Sequence, residues 1–134
     1  MLDPHGALVY TMVIVTGAES RISATERNIM GDIVGHLPVF RGFDVGKLAG
    51  HLNDCATLLG KDDGLEETLE AIKAALPPRL RETAYAIACD LVASDGQATQ
   101  DELQILDLLR ERLEIDRLIA AAIERGARAR FQNA

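Results

Sequence analysis

The sequence predicts an all-α fold: a single-domain bundle of about seven helices, arranged as two pseudo-symmetric helix–acidic turn–helix halves. Three observations predict it. Apolar residues recur at helical spacing along nearly the whole chain, with no competing strand pattern. Helix starts and stops punctuate it at short intervals, as Ser/Thr-x-x-Glu boxes, Asp caps, Pro and Gly. A helix–turn–helix motif in the first quarter returns about 76 residues later. At 134 residues and roughly 150 residues per domain, the chain fits one domain, able to bury a core without staples.

The elements follow in order. Leu8, Val9, Met12, Val13 and Thr16 place a first helix over about residues 5–18. A second runs from Thr25 to His36. Leu37-Pro38-Val39-Phe40-Arg41-Gly42-Phe43 reads as a connecting loop. Asp44 caps a third helix that reaches Leu59, with Val45, Leu48, Leu52, Cys55 and Leu59 on one face and Gly60 as its stop. A fourth starts near Asp62 or Asp63 and ends near Leu76. Asp62, Asp63, Glu66 and Glu67 gather in its first turns, where the helix dipole favours them.

Pro77-Pro78 breaks the chain, and Pro78 suits the first turn of a fifth helix burying Leu80, Ala84, Ile87, Ala88 and Leu91. A sixth spans Thr99 to Leu113, with Leu103, Leu106, Leu109 and Leu113 inward. A seventh spans Asp116 to Arg130 and carries Arg125, Arg128 and Arg130 at its dipole-negative end.

In the repeat, residues 16–26 fall on residues 92–102. Glu19 lies over Asp95, Ser20 over Gly96, Ile22 over Ala98, Ser23 over Thr99 and Glu26 over Glu102. The halves span about residues 1–60 and 77–134. Two readings of the acidic turns compete. In the first, Ser23-x-x-Glu26 and Thr99-x-x-Glu102 are capping boxes and Asp95-Gly96 supplies a turn with a left-handed glycine. In the second, carboxylates pooled from both turns (Glu19, Glu26, Asp95, Asp101 and Glu102, with Asp90 one turn earlier) hold a divalent cation. Hard oxygen ligands suit Ca²⁺ or Mg²⁺. An EF-hand is excluded, because its first and third ligand positions fall on Leu91 and Ala93, and on Val15 and Gly17 in the first half.

These residues carry a family resemblance. Met12 to Ser20, Leu37-Pro38 with Arg41-Gly42-Phe43-Asp44, and Ala88 to Gly96 followed by Thr99-x-x-Glu102 resemble the TerB family of tellurite-resistance-associated proteins over most of the chain. The resemblance implies a compact helical domain of two similar halves. It also implies a bacterial stress-response module, with membrane-associated stress proteins among its partners and divalent cations bound by the acidic turns. On this chain those positions are Glu19 and Glu26, and Asp95 and Glu102. The first turn departs from the pattern, with Glu19-Ser20 in place of Asp-Gly and Arg21 adding positive charge.

Other function classes find less in the sequence. The net charge of −7, from 14 basic and 21 acidic residues, argues against nucleic acid as a partner. The apolar run at 7–16 lacks a basic segment before it and is too short to span a membrane. Cys55 and Cys89 form no CxxC pair and read as buried small hydrophobes in a cytoplasmic protein. His5, His36 and His51 read as surface or capping residues, and no nucleophile constellation or organic-cofactor motif stands out. The expectation is a non-enzymatic binding module, holding a divalent cation or, alternatively, acting as a metal-independent scaffold that recruits proteins.

Overall fold

The computed structural model describes residues 2–16, 23–94, 96 and 98–134. Among these residues there are seven α-helices and no strand: α1 (Pro4–Thr16), α2 (Ala24–His36), α3 (Leu48–Leu59), α4 (Gly64–Ala75), α5 (Arg81–Ala93), α6 (Gln100–Arg112) and α7 (Arg117–Arg130). Single 3₁₀ turns at Pro38–Phe40, Val45–Lys47 and Pro78–Leu80 lead toward or into the helices that follow.

Helix α1 has no charged residue and is buried from Gly6 to Thr16. A helix apolar all round belongs inside a bundle, and α1 packs against α3, α4, α5 and α6. Its two threonine hydroxyls are satisfied within the helix. Thr11 Oγ1 donates to the Ala7 carbonyl at 2.8 Å and Thr16 Oγ1 to the Met12 carbonyl at 2.7 Å. Asp3 opens the helix, accepting the Gly6 N–H at 2.7 Å.

Helix α5 is the second hub. It packs on α1, α2, α6 and α7. The contacts have a regularity: α1 lies on α3 as α5 lies on α7, and α1 meets α6 as α5 meets α2. Helix α4 packs on α1, α3 and α6. Its acidic face is partly engaged, since Arg112 of α6 grips both oxygens of Glu66, at 2.5 and 2.8 Å. That bidentate pair holds the Glu66 carboxyl below its usual range.

Three expectations need correction. Val45 is 63% exposed instead of continuing the buried stripe of α3, because it sits in a 3₁₀ turn before the helix begins at Leu48. In three-residue turns it rotates off the line of Leu52 and Cys55. Leu103 is 48% exposed, although it shares the helical spacing of buried Leu106 and Leu109. His5 and His51 are half-buried and interleave with the connector between α2 and α3. His5 stacks on Phe40 (centroids 5.6 Å apart) and meets Phe43 edge-on, while Phe43 stacks on His51. The His5 ring also bonds the Val39 carbonyl, at 2.8 Å. This cluster ties the connector to α1 and α3.

Candidate functional site

The acidic turns come first. Both helix starts are closed capping boxes. At α2, Ser23 Oγ accepts the Glu26 N–H and Glu26 Oε1 accepts the Ser23 N–H, each at 3.0 Å. At α6, Thr99 Oγ1 accepts the Glu102 N–H at 3.1 Å, and Glu102 Oε1 accepts the Thr99 N–H at 2.9 Å. Each box satisfies two backbone donors that a helix start leaves open. Glu26 is only 5% exposed, so its carboxylate is held against the bundle by its own cap. Gly96 takes the left-handed conformation expected of it, with φ of 78°.

Of the other residues in the pooled set, Asp101 is exposed on the first turn of α6, and Glu19 and Asp95 lie outside the described residues. Asp90 accepts a hydrogen bond from Arg130 of α7 at 2.5 Å. Among the described residues, no three His, Cys, Asp or Glu side chains gather as a metal-holding group.

A second feature is a groove over α5. Helices α6 and α7 both pack on α5 but make little contact with each other, and they flank an open cavity of about 560 Å³. Its floor is Tyr85, Cys89, Val92 and Ala93 of α5. One wall is α6, through Leu103, Leu106 and Asp107 with Gln100 and Gln104. The other is α7 and the residues after it, through Glu124, Ala127, Arg128 and Phe131. The exposure of Leu103 has its physical cause here: its side chain borders an opening that no element of the described chain fills.

Polar chemistry in the groove centres on one pair. The buried Tyr85 phenol donates to Glu124 Oε2 at 2.5 Å. Burial, and then the hydrogen bond to Glu124, push the Tyr85 phenol far above its ordinary range, so it remains an O–H donor. Burial, and then the negative charge of Glu124, push the Cys89 thiol up to about 12. A thiol so placed is protonated near neutral pH and is no nucleophile. Volume, apolar floor and one anchored carboxylate together suit the capture of a ligand.

In the sequence neither Tyr85 nor Glu124 belongs to a motif. The signal the sequence contains is a second apolar stripe on α5: Tyr85, Cys89 and Val92 recur at helical spacing beside Ala84, Ala88 and Leu91. Two adjacent stripes mean that the helix is covered on more than one side. No protein family, curated protein or solved structure matches this chain.

Proposed function

We propose that this chain is a non-catalytic binding module that takes an apolar group into the groove over α5, without a metal. The observation that carries the reading is the groove itself. Its size lies within the range of about 300–1,000 Å³ used by small-ligand sites, and its floor of Tyr85, Cys89, Val92 and Ala93 is apolar apart from the Tyr85 phenol, which is bonded to Glu124 of the wall. The raised Cys89 thiol leaves it without an activated nucleophile. The resemblance to the TerB family agrees in kind, since it implies a stress-response module with protein partners and transfers no catalytic residue. Binding of divalent cations by the acidic turns has less support, because Glu26 and Glu102 each commit one carboxylate oxygen to a helix start.

Nile red, a neutral apolar dye whose emission rises on leaving water, tests the reading. Ala93→Phe puts a ring into the partly open floor, and Leu103→Asp puts a charge on the wall. Each is expected to weaken dye binding by about ten-fold or more while circular dichroism still reports a folded helical chain. Absence of any emission change with the parent protein, or binding that ignores both substitutions, would overturn the assignment.

A further inference from the structure

The groove is not electrically neutral, and its charges bear on what it takes. Among the residues that line it, Glu124 and Asp107 stand on its two walls and Arg128 is the one guanidinium; Asp107 is already paired with Arg110 of α6 at 3.4 Å, which leaves Glu124 as the carboxylate without a cation. Tyr85 occupies Oε2 of Glu124. No hydrogen bond from the described residues reaches Oε1, and among those residues no Lys or Arg forms an ion pair with Glu124. Arg128 lies four residues further along α7, the spacing at which Glu and Arg can pair on a helix, yet the two are not paired in this structure. A half-buried carboxylate beside an apolar floor is thus left with one oxygen free. Away from bulk water, its attraction for a cation is stronger than at the open surface.

We propose that the groove binds a small cationic amphiphile, an ammonium group on an apolar tail. The ammonium donates to Glu124 Oε1, and the tail lies over Val92, Ala93 and Leu103. The proposal rests on the binding reading of the same groove and names its ligand class. Tyr85 has a positioning role here: by donating to Oε2 it fixes the carboxylate with Oε1 left for the ligand. The charge complementarity separates this ligand from a fatty acid, whose carboxylate would be repelled by Glu124 and would find Arg128 as the one cation of the lining, beside the neutral amides of Gln100 and Gln104. The overall charge of −7 acts in the same sense at long range.

Decylammonium, decanoate and decanol share a tail and differ only in the head, so calorimetric titration of the three against the full chain reads the head alone. Decylammonium is expected to bind about ten-fold tighter or better than decanol, with decanoate weakest. Glu124→Gln keeps an acceptor for the Tyr85 O–H and removes the charge. It is expected to bring decylammonium down to the level of decanol while Nile red still binds. Tyr85→Phe releases the carboxylate from its fixed orientation and is expected to weaken decylammonium while leaving decanol unchanged, a readout independent of whether Glu124→Gln folds; decylammonium binding unchanged in a folded Tyr85→Phe variant overturns the positioning role.

Equal binding of all three ligands overturns the cationic assignment and leaves the groove reading standing. Binding of none overturns both. Tightest binding by decanoate overturns the cationic assignment in favour of Arg128. An ammonium preference that survives in a folded Glu124→Gln variant overturns the role of Glu124 and places the attraction in the general negative charge of the surface.

Discussion

Glu114 is the one residue other than glycine with positive φ among the described positions, at 58°. It stands just past α6, where the Glu114 N–H bonds the Glu111 carbonyl and the Ile115 N–H reaches back to the Arg110 carbonyl, each at 3.1 Å. These two bonds are the Schellman closure of a helix end, a position that favours glycine. A side chain there costs about 1–2 kcal/mol in backbone strain. In partial return, the carboxylate meets Lys73 Nζ at 3.3 Å and Arg81 Nη1 at 3.4 Å. Both are surface pairs, of a kind worth about 0–1 kcal/mol. Glu114→Gly and Glu114→Ala lose the same ion pairs and differ only in the strain. Urea unfolding is expected to find the glycine variant more stable than the alanine variant by about 1 kcal/mol. Equal stability would show that the left-handed position carries no strain.

At the scale of elements, two glycines with the same helical assignment should behave oppositely. Gly64 opens α4 against the end of α3, and a Cβ there would sit 2.7 Å from the Leu59 carbonyl oxygen and also collide with that of Leu58. Both are backbone atoms and cannot turn aside. Gly31 lies on the exposed face of α2 with nothing near where a Cβ would go. Thermal melts are therefore expected to rank Gly64→Ala below the parent by about 1–3 kcal/mol, as overpacking costs. Gly31→Ala should rank above the parent by up to about 1 kcal/mol, as helix propensity predicts. A Gly64→Ala variant as stable as the parent would mean that the α3–α4 corner is looser than its geometry.

The same contrast explains what the sequence could and could not reveal. The caps at Ser23 and Thr99 were legible because capping chemistry lies within three residues of itself: Ser23 accepts from the Glu26 N–H and Thr99 from the Glu102 N–H. Helix limits followed to within a few residues for that reason. Val45 and Leu103 were misplaced because periodicity gives the side of a helix and not whether anything covers it. The groove was out of reach for a related reason. It exists because α6 and α7 diverge over α5, and divergence is a property of three helices that no one of them records. His5 and His51 were likewise read as surface residues because their stacking partners, Phe40 and Phe43, come from a connector without periodicity of its own.

For the molecule as a whole, buried acids of very weak character lie within and against the two hubs of the bundle, and this fixes how stability should depend on pH. Cys55 lies on α3, which packs on the first hub, and Cys89 on α5, the second. Burial pushes both thiols up to about 12, against an ordinary value of 9.0. In the unfolded chain they give up protons near the ordinary value, whereas the folded chain keeps them. Between about pH 9 and 12 the native state therefore binds more protons than the unfolded state, and stability falls as pH rises. Below that window both states hold the protons and the contribution is fully present. Tyr85, and to a smaller degree Tyr10, extend the loss upward from about pH 10, since their phenols are also raised, chiefly by burial.

Urea melts followed by circular dichroism under a reductant should show little change from pH 7 to 8.5 and a progressive fall beyond. The double variant Cys55→Ala, Cys89→Ala begins less stable, because each substitution trims a filled core. Its decline is expected to start about one pH unit later, where only the phenols remain. A parent chain whose midpoint holds constant to pH 10.5, or a double variant with an unchanged onset, would mean that the thiols ionise within the folded bundle, and that α3 and α5 are less firmly closed over Cys55 and Cys89 than their packing indicates.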